Sequence, residues 1–163
     1  MNGINGARRL ARPVRLSLAP QLGAVIDGAW WPHTASVASE LPELVGILHR
    51  QLGVVVDIKI NWSATEGPLD LNTITTSGKS LGGTLNRRPR LMVISGQDCL
   101  ATLLVLPHLT SQGLGTIVMR KAVDAPVERS PRDAKLHETA ECVMRAAHVE
   151  SARWSESRQT VSG

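Results

Sequence analysis

The stretch Leu91-Met-Val-Ile-Ser-Gly-Gln-Asp-Cys-Leu-Ala-Thr-Leu-Leu-Val-Leu106 decides the fold. It contains two runs of β-forming residues, 91–94 and 100–106, and the polar segment between them is typical of a β-hairpin. The second run is apolar at nearly every position, so we expect both of its faces to be buried. The sequence therefore predicts a hairpin whose second arm is a central strand that ends at Pro107-His108.

The clearest strand signal outside the hairpin is Val54 to Trp62. One face would carry Val56, Ile58, Ile60 and Trp62, and the other would carry Asp57, Lys59 and Asn61. Because this alternation is typical of a strand with one buried face, it favours an antiparallel sheet. Weaker patterns predict short strands or extended pieces at 14–18, 21–26, 29–33, 69–74 and 80–85.

A helix at 41–52 is predicted by one apolar stripe at helical spacing, which consists of Leu41, Leu44, Val45, Leu48 and Leu52. Ser36 or Ser39 could cap it, Pro42 fits its first turn, and Gly53 fits just beyond its end. A second helix is expected at 111–123. A third should begin after Ser130-Pro131 and run to about residue 156.

These elements predict a single α+β domain. We expect an antiparallel sheet of about five or six strands, with helix 41–52 packed on one face and the C-terminal helices at an edge or in a dimer interface. Residues 1–13 are expected to form a disordered basic arm, 14–125 the α+β domain, and 130–158 a C-terminal helical extension.

Basic residues form two clusters in a chain of formal charge +4. Arg8, Arg9, Arg12 and Arg15 belong to the first, and Lys79, Arg87, Arg88 and Arg90 to the second. Such clusters could bind nucleic acid or a ribosome, which is one alternative function for this chain. The simpler interpretation is a solvated arm and a basic loop, because no aromatic residues that could stack on bases accompany the arginines.

The sequence predicts a cytoplasmic protein with no membrane partner. No apolar run approaches the roughly 18 residues of a membrane span, and the N-terminus has no apolar signal core. Cys99 and Cys142 do not form a disulfide framework and are expected to be free thiols.

The segment Asp27-Gly-Ala-Trp-Trp-Pro-His33, preceded by Arg15-Leu-Ser-Leu18 and followed by Ser39-Glu-Leu-Pro-Glu-Leu44, carries a resemblance. Together with Leu103-Leu-Val-Leu-Pro107, it resembles an actinobacterial, mycobacterial-type family of unknown function that carries a DGAWWP turn. The likeness covers roughly residues 14 to 125, so the helix after residue 130 looks like an extension. The resemblance implies a small α+β domain and no assigned activity.

The chain has four Trp but no Phe or Tyr, so each indole needs a specific place. In an extended segment Trp30 and Trp31 point to opposite sides, which predicts one indole in the core and one outward. The candidate ligand-binding residues are Asp27, Trp30, Trp31, His33, Trp62 and His108. The leading hypothesis is a non-catalytic small-ligand or protein-binding, regulatory domain. Asp27 could instead cap the turn with its carboxylate.

An enzyme that uses Asp27, His33 and His108 is a further alternative, since both His residues follow a Pro at the end of an extended segment. We lean against it, because no motif supplies a catalytic set; none of these residues is assigned a catalytic role, and no cofactor or metal is expected. As partner, a second copy could bind through the outward Trp or the C-terminal helix.

Overall fold

A computed structural model describes residues 13–62, 71, 89–128 and 130–162 of the chain. In these ranges five strands form one mixed sheet in the order β1-β2-β5-β4-β3. The strands are β1 (Leu16–Leu18), β2 (Gly28–Trp30), β3 (Val55–Ile60), β4 (Arg90–Gly96) and β5 (Leu100–Val105). The predicted hairpin is β4–β5, and β5 is the central strand, as its continuous apolar sequence predicts.

Three α-helices within the described ranges flank the sheet: α1 (Val37–Leu52), α2 (Gln112–Lys121) and α3 (Ala134–Ser162), the last preceded by a 3₁₀ turn at Pro131–Asp133. Helix α1 begins earlier than the predicted 41–52, so Pro42 lies inside the helix and not in its first turn. The helix accommodates it because proline removes only one backbone hydrogen bond close to the helix start. Helix α3 runs past the predicted end near residue 156.

The side chains of the sheet form a separate buried cluster on each face. Helix α1 covers one face with Leu44, Leu48 and Leu52, which pack on Trp30, Met92, Ile94, Leu103 and Val105. Helices α2 and α3 cover the other, where Leu114, Val118, Val143 and Ala147 pack with Leu91, Leu104 and Leu106. Neighbouring residues of one strand therefore contribute to opposite clusters. The result is a single α+β domain in three layers, with α3 built into the second core.

The sheet differs from the predicted antiparallel one at one pair, because β2 and β5 are parallel. Gly28 lies beside Leu103 and Trp30 beside Val105. Between these strands the chain forms α1, β3 and β4, which is enough length for a crossover to the parallel direction. The alternation in β3 favours an antiparallel neighbour, and β3 is antiparallel to β4, but it does not indicate the direction of β2 against β5.

The predicted core face of β3 is wrong at two positions, since Val56 and Ile60 are 62% and 44% exposed. Among the described strands β3 lies at an edge of the sheet, and its register with β4 shifts between Val55 and Asp57. The bulge changes the direction in which the side chains around it point. Val55 and Ile58 are therefore the β3 residues that pack on the α1-side core.

Other predicted features have mixed outcomes. Only 16–18 of the 14–18 segment forms a strand, and 21–26 is a bend leading into β2. The predicted strands at 69–74 and 80–85 lie outside the described residues except Leu71, which is buried on the α2–α3 side. Nearly all of the N-terminal arm lies outside them as well. Cys99 and Cys142 are free thiols, as predicted.

Candidate functional site

Asp27 is fully enclosed and bonded to backbone N–H groups. Its Oδ1 accepts hydrogen bonds from the N–H groups of Gly23 and Ala24, both at 2.9 Å. Its Oδ2 accepts one from the N–H of Thr102 at 2.9 Å. The exposed fraction of Asp27 is 0%. The carboxylate therefore fastens the turn before β2 to the middle of β5, and a ligand has no route to it.

Trp30 and Trp31 point to opposite faces of the sheet, as the extended geometry predicts. Trp30 packs in the α1-side core and is 1% exposed. Trp31 packs in the α2–α3 core and is 3% exposed. The expectation that one indole faces outward is wrong, because helices cover both faces. Neither indole offers a platform at the surface.

Arg15 holds Trp31 from the outside. Its guanidinium lies 3.8 Å from the centroid of the Trp31 ring, a cation–π contact. Its Nε donates to the Trp31 carbonyl at 3.1 Å, and Nη2 donates to the Pro32 carbonyl at 2.9 Å. Arg15 is therefore part of the fold, as its place in the predicted strand 14–18 implies, although it also belongs to the first basic cluster of the sequence. His33 is fixed on the same side, with its Nε2 2.8 Å from the carbonyl oxygen of Pro13.

Glu40, in the first turn of α1, fixes the segment that follows the Trp pair. Its Oε1 accepts from the N–H of His33 at 2.9 Å. Its Oε2 accepts from the N–H and the hydroxyl of Thr34 at 2.7 and 2.6 Å. Burial raises the pKa of Glu40, but these hydrogen bonds and the nearby His33 together hold that pKa below its ordinary value. The ionised carboxylate thus ties the chain after β2 to the start of α1.

A groove opens beside this segment and brings Trp62 and His108 together. It has a volume of about 120 Å³. Its walls come from the start of α1, the end of β3, the start of β4 and the chain after β5, and they include Thr34, Val37, Trp62, Arg90, Pro107 and His108. The Arg90 guanidinium lies 5.6 Å from the centroid of the Trp62 ring. An indole, a guanidinium and an imidazole therefore share one concave site.

Topology explains why these residues meet. Because β2 and β5 are parallel, the segments after both strands leave the sheet at the same end. Ligands of α/β sheets commonly bind outside the carboxyl ends of such strands. The antiparallel neighbours β4 and β3 bring the start of one and the end of the other to that same end.

Asn61 fixes the corner of the groove that carries Trp62 and Arg90. Its Nδ2 donates to the Pro89 carbonyl at 3.0 Å, and its Oδ1 accepts from the N–H of Leu91 at 2.7 Å. The same Nδ2 lies 3.1 Å from Oε2 of Glu150 on α3. The sequence predicted that Asn61 lies on the polar face of β3, but it did not indicate that the Asn61 amide fixes the start of β4.

The structure does not unite Asp27, His33 and His108. Asp27 bonds to Thr102, which lies six positions before His108 along β5 and its continuation. Six residues span at most about 20 Å, and Asp27 is fully buried beside the middle of β5 whereas His108 follows the end of that strand. An acid and a base acting on one substrate must both reach it, so this set cannot act together. Within the described ranges no group of three His, Cys, Asp or Glu side chains could hold a metal ion.

The candidate nucleic-acid residues Arg8, Arg9, Arg12, Lys79, Arg87 and Arg88 lie outside the described residues. Arg90 is described, and it lines the groove beside Trp62. A basic residue predicted for a nucleic-acid surface thus belongs to the same site as two residues predicted for a ligand.

The chain matches the model of a family of unknown function (DUF5994) over residues 15–122, and it belongs to that family. The match includes the Asp27–His33 motif, α1, all the strands that border the groove, and α2. It ends before α3 begins. No curated protein and no solved structure matches the chain. Among the described helices, none combines the length and apolar character needed to cross a membrane.

Proposed function

We propose that this chain is a non-catalytic binding domain whose ligand occupies the groove beside Trp62 and His108. The observation that supports this is the meeting of Trp62, Arg90 and His108 around one cavity. Concave sites with apolar walls and a few converging polar groups are where small ligands usually bind. The Asp27–His33 motif contributes indirectly, by holding β2 and the start of α1 in place.

The size of the groove limits its ligand. A volume of about 120 Å³ is near that of cavities that accept a single benzene ring. Drug-sized ligands generally need several hundred Å³. The proposed ligand is therefore one small ring, or a fragment of similar size.

Charge in the groove favours an anionic group on that ring. Arg90 supplies a fixed positive charge, and no Asp or Glu side chain lies among the described lining residues. The first turn of α1 borders the same cavity through Val37, and a helix start favours negative charge. The face of Trp62 can stack on a ring. A small aromatic carboxylate is the ligand class that fits these features best.

Titration with benzoate tests the proposal, and benzyl alcohol is the neutral ligand of similar size. Binding is read from amide chemical shifts and from intrinsic Trp fluorescence. We expect benzoate to shift signals of residues 34–37, 62, 90 and 106–109. It should also bind at least about tenfold more tightly than benzyl alcohol, because only benzoate engages Arg90 through its charge.

Variants of the groove locate the site. Trp62→Phe should reduce the fluorescence response, and His108→Ala should weaken benzoate binding several-fold. His49→Ala, at an exposed position on α1, is the matched control and should bind as the unmodified chain does. The proposal fails if benzoate shifts signals elsewhere, or if His108→Ala and His49→Ala have equal effects.

A further inference from the structure

Among the described strands, β3 lies at an edge of the sheet and carries exposed apolar side chains. In the described part of the chain, β4 is its one neighbour in the sheet. Val54, Val56 and Ile60, on or next to this strand, are 49%, 62% and 44% exposed. An exposed edge with apolar side chains readily pairs with another strand, and proteins usually cover or blunt such edges. This edge therefore needs a partner or a device that prevents pairing.

The backbone of β3 presents its outward hydrogen-bonding groups at alternate residues. The N–H of Asn61 donates to the Leu91 carbonyl, so the groups of Asn61 point toward β4. In an antiparallel pair this direction alternates, and the groups of Lys59 therefore also point toward β4. Those of Ile58 and Ile60 point outward, away from the sheet. An incoming strand would bond to these two residues.

The sequence Val56-Asp-Ile-Lys-Ile60 is complementary to itself when a second copy runs antiparallel and is centred on Ile58. In that register Asp57 lies opposite Lys59 of the second copy, and the reverse pair forms by symmetry. Val56 lies opposite Ile60 of the second copy. Opposite charges and apolar pairs facing each other across strands both stabilise a sheet.

We infer that β3 pairs with β3 of a second copy of this chain, so that the two sheets join into one across a two-fold axis. This register agrees with the direction in which the backbone hydrogen-bonding groups of β3 point. Ile58 would exchange hydrogen bonds with Ile58 of the second copy, and Asp57 and Lys59 would fall at the non-hydrogen-bonded positions, where cross-strand side chains are closest.

Two features of the edge agree with this pairing. A lysine on an edge strand normally opposes pairing, but here Lys59 has Asp57 on the same face, with its Nζ 2.9 Å from Asp57 Oδ2. Each lysine would thus gain a second carboxylate instead of a like charge. The bulge lies at Val56, at one end of the paired segment, and it limits the pairing to about five residues.

Charge reversal tests the interface, with the oligomeric mass measured by sedimentation velocity over a range of concentrations. Asp57→Lys places two like-charge pairs in the dimer, and Lys59→Asp does the same with the opposite sign. We expect each single variant to weaken the dimer about tenfold or more. The double variant Asp57→Lys/Lys59→Asp restores opposite charges and should dimerise as the unmodified chain does.

Mixing the two single variants is the decisive step. In the mixture, the lysine introduced at position 57 of one copy faces the aspartate introduced at position 59 of the other. The unchanged Lys59 of the first copy likewise faces the unchanged Asp57 of the second. A heterodimer should therefore form although neither variant dimerises well alone, and an effect confined to one chain cannot produce this result. Glu43→Lys and Arg50→Asp, at exposed positions on α1, are the matched controls and should leave the dimer intact.

A chain that stays monomeric up to about 0.5 mM overturns the inference, because a specific interface should dimerise below that concentration. The inference is also overturned if the dissociation constant of the dimer is unchanged in both single variants, or if a mixture of the two variants gives no heterodimer. Benzoate binding is measured in parallel, because the groove forms within one chain and its binding should survive in monomeric variants.

Discussion

Replacement of Asp27 separates a structural role of the central motif from a role in binding. In Asp27→Ala three backbone N–H groups lose their acceptor. The N–H group of Thr102 is buried, so leaving it without a hydrogen-bond acceptor costs about 2 kcal/mol. Those of Gly23 and Ala24 lie in an exposed turn and can bond to water, which reduces the cost to about 1 kcal/mol each. Together these losses come to about 4 kcal/mol.

Asp27→Asn should give an intermediate result. The amide oxygen can still accept from Gly23 and Ala24, but the amide NH₂ then faces the N–H of Thr102. We expect a loss of about 2 kcal/mol, confined to that buried contact. Against a total stability of about 5–15 kcal/mol, both losses are large enough to measure.

Urea unfolding, followed by Trp fluorescence and by far-ultraviolet circular dichroism, measures these changes. Asp98→Ala, in the exposed hairpin turn, is the control and should change stability by no more than about 0.5 kcal/mol. The reasoning is refuted if Asp27→Ala unfolds at the same urea concentration as the unmodified chain. It is equally refuted if Asp27→Ala keeps its stability and loses benzoate binding, since Asp27 would then be a site residue.

Two further predictions follow from packing and charge. Gly115→Ala places a Cβ against the ring of Trp31, so an overpacking cost of about 1–3 kcal/mol should exceed the gain of about 1 kcal/mol in helix propensity, and the variant should be less stable. Gly46→Ala, which has open space around it on α1, is the control and should be more stable by about 1 kcal/mol in the same urea assay. Glu40 has a lowered pKa in the folded state, so its contribution to stability is present above its ordinary pKa and is lost as the pH falls through the folded value. Glu40→Gln should therefore lose less stability than the unmodified chain between about pH 5 and pH 3, and an equal loss in both would contradict this assignment.

The proposed groove changes the interpretation of the Asp27–His33 motif. Asp27 fixes the turn, the two indoles fill both cores, and Glu40 secures the chain beyond them. A motif with these contacts is explained by stability alone. The residues of the proposed ligand groove, Trp62, Arg90 and His108, lie elsewhere in the sequence. We therefore expect substitutions in the motif to affect folding, and substitutions in the groove to affect binding.

Local patterns in the sequence were sufficient for several elements. The continuous apolar run 100–106 determined a strand buried on both faces, and the polar turn before it determined the hairpin. The apolar stripe of α1 determined which of its sides is buried. The extended Trp30-Trp31 pair determined that the indoles separate to opposite faces. Each depends on periodicity or turn chemistry within about ten residues, which the sequence displays directly.

Tertiary structure alone decided the direction of β2 against β5, the burial of both indoles, and the meeting of the residues that line the proposed groove. The three residues of β2 are too few to show a periodicity that would distinguish a parallel neighbour from an antiparallel one. Whether Trp31 faces water depends on α2 and α3, which are distant from it in the sequence and pack over its ring in the fold. Trp62, Arg90 and His108 are also far apart in the chain. They meet because parallel β2 and β5 and antiparallel β3 and β4 all bring these ends to one side of the sheet.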